Sequence, residues 1–236
     1  MSCGNTPTPI LKVGITEATV ERLKKVVLKS INPSDIDDLV LTDGLHYQTI
    51  IKWGDQINFT DTFGFNNDFT CFIPIDDENP KDGLLWVNHE YMNPLFVSDY
   101  NYRNKNQKRT KEQVDKEMYR VGGSIVRIKE ENGTWSVVEN DPLNRRINWD
   151  EPIKGKDTVI GTLANCSGGI TPWKTFLTCE ENYDNFYGET IYDQNNNPQH
   201  KPSTYYNWEQ FYTYPPEHYG WVVEINPKDG SSQKHI

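Results

Sequence analysis

Short apolar runs broken by turn residues constrain the fold of this chain more than any other feature. From residue 46 onward, runs rich in β-branched and aromatic residues alternate with clusters of Gly, Asn, Asp and Pro, which is typical of strands joined by turns. Asn132-Gly133 is a strong signal for a tight hairpin turn between two such runs. Many short strands with plentiful aromatic residues predict an all-β sandwich, barrel or propeller. The predicted strands are His46–Lys52, Phe69–Pro74, Gly83–Asn88, Ser124–Ile128, Thr134–Val138, Thr158–Gly161, Thr175–Cys179 and Gly220–Ile225.

Three segments depart from the strand pattern. Residues 16–30 carry apolar side chains at helical spacing, with Thr16 as the N-cap, and predict a helix after a disordered linker over residues 1–15. A short helix is also predicted from Lys111 onward. Residues 187–216 show little periodicity, and a structureless loop of this length is unusual, so we expect a functional or covering loop.

The C-terminal residues predict a strand without a partner. Gly220–Ile225 is followed by the turn sequence Asn226-Pro227-Lys228-Asp229-Gly230, and the chain ends at Ile236, where a return strand would be expected. Because proteins avoid unpaired strand edges, we expect residues 16–236 to be the N-terminal portion of a single, larger β domain.

The charge balance excludes several classes of function. Acidic residues outnumber basic ones by 34 to 24, for a net charge of −10, which argues against a nucleic-acid partner and against a polybasic membrane patch. No apolar run approaches the roughly 18 residues of a membrane span. An acidic excess is compatible with cation binding, but most acidic proteins are acidic merely at their solvated surface.

The four cysteines, Cys3, Cys71, Cys166 and Cys179, are spaced neither as a disulfide scaffold nor as a zinc ribbon. Cys166 and Cys179 could pair with each other in an exported protein. Cys3 precedes a small, polar, Pro-containing stretch that is typical of a processed lipoprotein, which would place a lipid anchor at Cys3. The alternative is an ordinary N-terminus with a chance cysteine.

Four patches of polar residues lie beside apolar runs and are candidates for chemistry. Asn66, Asn67 and Asp68 offer oxygens to a hard cation, or they form a turn by bonding their own backbone. Asn88, His89 and Glu90 end a predicted strand, where His89 could be a ligand or a base; the alternative is a hydrogen-bonded histidine beside a surface glutamate.

The other two patches contain cysteine. Cys166, after Asn165 and before a Gly-Gly turn, could bind a transition metal as thiolate or act as a nucleophile, or it could be a buried, inert thiol. Glu180, Glu181 and Asn182 follow another predicted strand. Successive side chains on a strand point to opposite faces, so one carboxylate could bind metal while its neighbour supports it; the alternative is a solvated acidic loop.

Six motifs, taken together and in this order, resemble the PhoX-type alkaline phosphatase family of exported bacterial proteins. The resemblance runs from about Gly44 to the C-terminus. The motifs are Ile51-Lys52-Trp53-Gly54-Asp55, Phe63-Gly64-Phe65-Asn66-Asn67-Asp68-Phe69, Leu85-Trp86-Val87-Asn88-His89-Glu90-Tyr91, Asn165-Cys166-Ser167-Gly168-Gly169 with Thr171-Pro172-Trp173, Thr178-Cys179-Glu180-Glu181-Asn182, and His218-Tyr219-Gly220-Trp221-Val222-Val223-Glu224-Ile225.

The resemblance implies a β-propeller with a calcium and iron cluster that hydrolyses phosphate monoesters. It places the iron-binding thiolate on Cys166, with Glu180 and Glu181 as the best acidic ligands and Glu90 as the next; Cys179 is a packing residue. No residue is assigned as catalytic. The residues that would bind metal or support its ligands are Asn66, Asn67, Asp68, Asn88, His89, Asn165, Asn182 and His218.

Two further expectations follow from the resemblance. Family members continue well beyond the equivalent of Ile236, so we expect this chain to cover part of a propeller and to have little activity without the later blades. An alternative function is a non-catalytic, calcium-stabilised propeller that binds proteins or glycans on an exported surface; a third is hydrolysis of another phosphoester class, such as diesters.

Overall fold

The computed structural model describes residues 29–148, 152–153 and 159–235. The chain divides into two compact units, Met1–Gln48 and Thr49–Ile236. Described residues 29–48 of the first unit contain no helix or strand. The predicted linker over residues 1–15, and most of the predicted helix after it, lie outside the described residues. No helix among the described residues is long and apolar enough to span a membrane.

The second unit contains thirteen strands and three α-helices within its described residues. The strands are β1 (Asn67–Asp76), β2 (Asn79–His89), β3 (Gly122–Glu131), β4 (Thr134–Val137), β5 (Arg145–Ile147), β6 (Pro152–Ile153), β7 (Val159–Ile160), β8 (Asn165–Ile170), β9 (Phe176–Glu180), β10 (Glu189–Tyr192), β11 (Pro198–Lys201), β12 (Val222–Ile225) and β13 (Ser232–His235). The α-helices are α1 (Pro94–Ser98), α2 (Lys111–Arg120) and α3 (Asp184–Tyr187).

The first sheet is an antiparallel meander in the order β1-β2-β3-β4, with β5 also paired to β3. The turn between β3 and β4 has positive φ at Asn132 (55°) and Gly133 (84°), so the predicted Asn-Gly hairpin is confirmed. The predicted strand over His46–Lys52 is wrong. The Asp55 carboxylate accepts a hydrogen bond from the Lys52 amide at 2.8 Å, and this local turn competes with pairing to a strand.

The second sheet is a four-stranded antiparallel sheet in the order β13-β12-β9-β8. Strand β12 pairs with β9 on one side and with β13 on the other. The expectation of an unpaired C-terminal strand is therefore wrong: Ser232–His235 is the return strand. Sequence patterning missed it because two of its four residues are charged or titratable and its inward-facing residues, Ser232 and Lys234, are polar.

A shared apolar core holds the two sheets against each other. Trp86 of the first sheet stacks on Phe176 of the second, with ring centroids 5.9 Å apart. Ile73 and Ile125 lie in the same buried cluster as Val223. Burying large apolar side chains from both sheets stabilises their juxtaposition, by roughly 1.5–3 kcal/mol per side chain, and so fixes which strand ends meet.

The connection between β9 and β12 is ordered. It carries α3, the β10–β11 hairpin and two 3-10 helices, Trp208–Gln210 and Pro216–His218. Its aromatic residues pack on α2 in a buried cluster that includes Phe186, Tyr206 and Trp208. The predicted covering loop is thus a folded excursion from the second sheet.

The predicted helix from Lys111 is confirmed as α2. Thr110 caps it by accepting a hydrogen bond from the Gln113 amide, and the Gln113 side chain accepts from the Thr110 amide, which completes a capping box. Glu117, fully buried on this helix, accepts hydrogen bonds from Ser98, Arg109 and Trp208. This satisfied carboxylate ties α2 to the aromatic cluster.

Candidate metal centre

Three carboxyl groups and one thiol converge at the edge where the two sheets meet. The candidate ligand atoms of Asp68, Glu90 and Cys166 all lie within 4.8 Å of one another. The Glu181 carboxyl is hydrogen-bonded to that of Glu90 and interacts electrostatically with Cys166. We call these four residues the acidic cluster. Asp68 and Glu181 are exposed, and Glu90 and Cys166 are half-buried, so the cluster is open to a ligand from solvent.

The first sheet supplies two members of the cluster from adjacent strand ends. Antiparallel pairing places the start of β1 beside the end of β2, with Asn67 opposite His89. Asp68 is the next residue along β1, and Glu90 is the first residue after β2. The pairing register alone therefore brings these two carboxylates to the same edge.

The second sheet repeats this arrangement. Asn165 at the start of β8 lies opposite Glu180 at the end of β9. Cys166 is the next residue along β8, and Glu181 is the first residue after β9. Each sheet thus contributes one residue from the start of its first strand and one from just beyond its second.

Left-handed backbone conformations turn the chain at the site. Asn66, Ala164 and Asn182 have φ values of 49°, 51° and 42°, a region that Asn tolerates but that costs Ala roughly 1–2 kcal/mol. The Ala164 carbonyl accepts a hydrogen bond from the Glu181 amide at 2.9 Å. Strain of this kind collects at functional sites, and here it sets the direction of the chain beside Cys166 and Glu181.

Asn88 holds the backbone of Cys166 from the neighbouring sheet. Its amide nitrogen donates to the carbonyl oxygens of Cys166 and Ser167 at 3.0 and 3.1 Å. Its amide oxygen accepts from the Trp86 indole and the Thr178 hydroxyl at 2.7 and 2.8 Å. All of its hydrogen bonds are to these protein groups, so Asn88 supports the site rather than offering an oxygen to a metal.

Gly168 and Gly169 lie within β8, so the predicted Gly-Gly turn after Cys166 is wrong; close packing requires the glycine at 168. A Cβ on Gly168 would lie 2.4 Å from the Leu177 carbonyl oxygen and 2.5 Å from the Phe69 ring. Asn165, fully buried, donates to the hydroxyls of Thr162 and Thr178 at 2.8 and 3.0 Å. The packing of Gly168 and the hydrogen bonds of Asn165 thus fix the position of the Cys166 thiol beside the first sheet.

The cluster carries more negative charge than its own residues neutralise. Partial burial, followed by the charges of Asp68 and Glu181, raises the pKa of Glu90, against a lowering hydrogen bond from Asn66. Partial burial and a hydrogen bond to Asp68 raise the pKa of Cys166 to about 11, with further contributions from Glu181 and Glu90. A bound cation would relieve this repulsion, since an opposite charge favours the ionised forms.

The donor set fits a metal ion. Carboxylate oxygens are the ligands of hard cations such as calcium, and a thiolate beside carboxylates and amides suits a transition metal such as iron. Asp68, Glu90 and Cys166, whose ligand atoms lie within 4.8 Å of one another, together with Glu181 beside Glu90, provide both kinds of donor.

Glu180 does not belong to the acidic cluster, contrary to the expected ligand set. Its Oε1 accepts a hydrogen bond from the buried Lys234 ammonium at 2.7 Å, and its Oε2 accepts from the amides of Gly220 and Trp221 at 3.0 and 3.2 Å. Alternation along β9 turns Glu180 into the protein and leaves Glu181 facing the cluster. Glu180 is therefore a buried structural partner of Lys234, whereas Asp68 takes a place among the candidate ligands.

The remaining candidates lie around the cluster or away from it. His89 is fully buried and shares a 2.8 Å hydrogen bond with the Ser124 hydroxyl; burial, then the charge of Arg146, holds its pKa well below the usual range. His218 accepts a hydrogen bond from Lys234 through its carbonyl. Asn66 and Asn182 donate to Glu90 and Glu181 at 3.3 and 2.6 Å, so they orient two carboxylates.

Cys71, Cys166 and Cys179 are free thiols, so the Cys166–Cys179 disulfide considered from the sequence does not form. Cys179 lies on β9 opposite Ser167 and is half-buried. Its thiol pKa is raised by burial. Cys166 thus keeps the thiol that a metal would need.

Comparisons with known proteins give a consistent result. The family described as alkaline phosphatase PhoX matches residues 26–235. The structure is similar to that of Pseudomonas fluorescens PhoX in complex with vanadate, a transition state analogue, with 26% sequence identity and a TM-score of 0.72. The similarity covers 88% of this chain and 43% of that one, so the chain spans less than half the length of the solved structure. A comparison with curated proteins found no match. Together with the two meandering sheets, this similarity confirms the predicted β-propeller fold class.

Proposed function

Because the chain belongs to the PhoX alkaline phosphatase family, we propose that it carries part of the active site of a metal-dependent phosphatase acting on phosphate monoesters. The observation that supports this most directly is the convergence of Asp68, Glu90 and Cys166 within 4.8 Å, beside Glu181. The similar Pseudomonas fluorescens structure holds vanadate, a transition state analogue, which is in keeping with phosphoryl chemistry.

The proposal includes calcium and iron as the bound metals. Cys166 would hold iron through its thiolate, and Asp68, Glu90 and Glu181 would supply carboxylate oxygens to iron and calcium. When bound, such ions neutralise phosphate oxygens and organise an in-line displacement at phosphorus. The high net negative charge of the chain is no obstacle, because bound cations are the largest local charges in such a site.

The chain's own residues would prepare this site in two ways. Asn88 fixes the Cys166 backbone, and Asn66 and Asn182 orient Glu90 and Glu181 through the hydrogen bonds described above. Partial burial and a hydrogen bond to Asp68 raise the pKa of the Cys166 thiol to about 11, so the thiol holds its proton until a cation displaces it. Metal binding should therefore release protons.

The test is metal analysis combined with a phosphatase assay of matched variants, made in the full-length protein because this chain spans less than half of the similar solved structure. We expect C166S to lose iron and E181Q to lose at least one metal, each with hydrolysis of a generic phosphomonoester reduced about 100-fold or more. The control is E139Q, which removes an exposed carboxylate after β4 and should change neither quantity. Iron retained by C166S would contradict the ligand assignment. Calcium without iron in the wild-type protein would favour the calcium-stabilised binding module instead.

We also propose export and attachment through a lipid at Cys3, on the basis of the short polar stretch that follows this cysteine. Cys3 lies outside the described residues. Metabolic labelling with a fatty acid should mark the wild-type protein and not C3A; equal labelling would contradict this assignment.

A further inference from the structure

A cavity of about 320 Å³ opens beside the acidic cluster. Its volume is at the lower end of the range for small-molecule sites, about 300–1,000 Å³. Its lining includes Glu90, a member of the cluster, and Ala164 and Asn182, which lie next to the segments that carry Cys166 and Glu181. A molecule held by the cluster at one end would therefore extend into this cavity.

One wall of the cavity is aromatic. It is formed by Tyr91, Phe186, Tyr205 and Tyr206. Phe186 and Tyr206 are buried and stacked, with centroids 4.5 Å apart and planes at 24°, and Tyr205 meets Tyr206 edge-on at 4.5 Å. Tyr91 and Tyr205 are 47% and 52% exposed, so two rings present open surface to an incoming group.

Within the aromatic wall, Tyr206 is held by two hydrogen bonds to the backbone. The Tyr206 hydroxyl donates to the Met92 carbonyl at 3.0 Å, and the Tyr206 amide donates to the Asn185 carbonyl at 2.9 Å. Because these hydrogen bonds fix Tyr206 and its stacked partner Phe186, little entropy is lost when a flat group packs against this part of the wall. Asn182 and Asn185 add amide groups at the rim, which could bond polar substituents of such a group.

We propose that this cavity binds the organic part of the substrate, and that it selects phosphate monoesters whose leaving group carries one planar aromatic ring. The assignment rests on the proposed phosphatase function. The reaction is the same hydrolysis: the water oxygen bonds to phosphorus, the bond from phosphorus to the ring-bearing oxygen breaks, and a proton from water ends on the released alcohol.

A matched pair of esters separates recognition of the ring from the chemical reactivity of the leaving group. Benzyl phosphate and cyclohexylmethyl phosphate have the same number of carbons and similar alcohols as leaving groups, but only the first contains a planar ring. We expect kcat/KM for benzyl phosphate to exceed that for cyclohexylmethyl phosphate by about 3- to 10-fold, as ring stacking predicts. The two corresponding phosphonates cannot be hydrolysed. We expect the ratio of their binding affinities to equal the ratio of kcat/KM for the two esters.

Two wall variants test which surface is responsible. Y205L and Y91L each replace a half-exposed ring. Each substitution should bring the kcat/KM ratio of the two esters and the affinity ratio of the two phosphonates towards one. The matched control is Y192L, since Tyr192 is 64% exposed on β10 and does not line the cavity; it should leave both ratios unchanged. Ratios that persist in Y205L and Y91L would overturn the assignment.

Made in the full-length protein, the two measurements also separate this inference from the function it rests on. Turnover of methyl phosphate without preference for the benzyl ester or phosphonate would overturn the aromatic site and leave the phosphatase function intact. Preferential binding of benzylphosphonate without turnover of any ester would support the aromatic site and overturn the function. If the protein hydrolyses none of the esters and binds neither phosphonate, both the aromatic site and the phosphatase function are overturned.

Discussion

Glu180 and Glu181 are adjacent carboxylates with opposite surroundings. Glu180 is buried with Lys234, at 0% and 1% side-chain exposure, whereas Glu181 is exposed beside Glu90 and Cys166. Of these two adjacent glutamates, Glu180 therefore has a structural role and Glu181 is a candidate metal ligand. The difference arises because a strand turns consecutive side chains to opposite faces.

This contrast predicts different consequences for the two amide substitutions. E180Q should lower the free energy of unfolding by about 3–5 kcal/mol, because it leaves the Lys234 charge buried without a partner. E181Q should change stability little in the metal-free protein, since it removes a repelling charge. Urea denaturation of both variants measures this. Equal losses would contradict the division of roles, and E180Q/K234M should recover much of the loss.

The acidic cluster draws its residues from the four patches that the sequence singles out, but local patterns do not choose one residue within each patch. Asp68 was one of three neighbours with hard oxygens, and the choice of Asp68 depends on the register of β1 against β2. Asn88 was assigned to the metal or its surroundings, but its contact with the Cys166 and Ser167 carbonyls joins strands far apart in sequence. Contacts across sheets are not encoded in local spacing.

At the scale of elements, one arginine ties three segments of the first sheet together. Arg127 on β3 donates two hydrogen bonds to the Asp82 carboxylate on β2, at 2.9 and 2.8 Å, and one to Asp141 beyond β4, at 2.8 Å. The hydrogen bonds from Arg127 hold the pKa of Asp82 below its usual value. The sheet end away from the acidic cluster is thus fastened by paired charges.

This pairing predicts a pH-dependent stability. A carboxyl whose pKa is lower in the folded state adds stability above its unfolded pKa, near 3.8, and loses it as pH falls through the folded value. D82N should therefore cost about 1–2 kcal/mol at pH 7. The difference between wild type and D82N should shrink as the pH falls below 4. Thermal unfolding at pH 7 and pH 3 measures it; a difference that does not change with pH would contradict the role of the Asp82 charge.

Elements with apolar, β-branched runs were predictable, and polar ones were not. The sequences of β1, β2, β3 and β9 show such runs and were predicted, whereas β8 reads Asn-Cys-Ser-Gly-Gly-Ile and was missed. Strand β8 forms because its backbone pairs with β9 and Asn88 holds it from the side. Its glycines permit close packing, as Gly168 shows. Because glycine has no apolar side chain, the same residues leave β8 without the apolar pattern that predicts a strand.

At the scale of the whole molecule, the candidate metal centre lies between two sheets and uses residues of both. Asp68 and Glu90 come from the first sheet, and Cys166 and Glu181 come from the second. A cation bound by all four would stabilise the folded state through its affinity, by about 4 kcal/mol at a thousandfold excess over Kd. Such a cation would stabilise the packing of the two sheets in addition to its role in the reaction.

Metal removal should therefore lower thermal stability. We expect chelation to reduce the Tm of the wild-type protein by about 10 °C, given the usual 2–4 °C per kcal/mol for a chain of this size. Differential scanning calorimetry with and without chelator measures the change. The C166S/E181Q variant should show no further decrease with chelator. A wild-type Tm that does not respond to chelation would contradict a bound metal at this site.

The division of the ligands between the sheets has a consequence for biogenesis. During synthesis, Asp68 and Glu90 emerge well before Cys166 and Glu181. The nascent first sheet would present only half a chelate, with weak affinity and no thiol. Tight metal capture must await docking of the second sheet, so metal content would report how much of a population has completed that step.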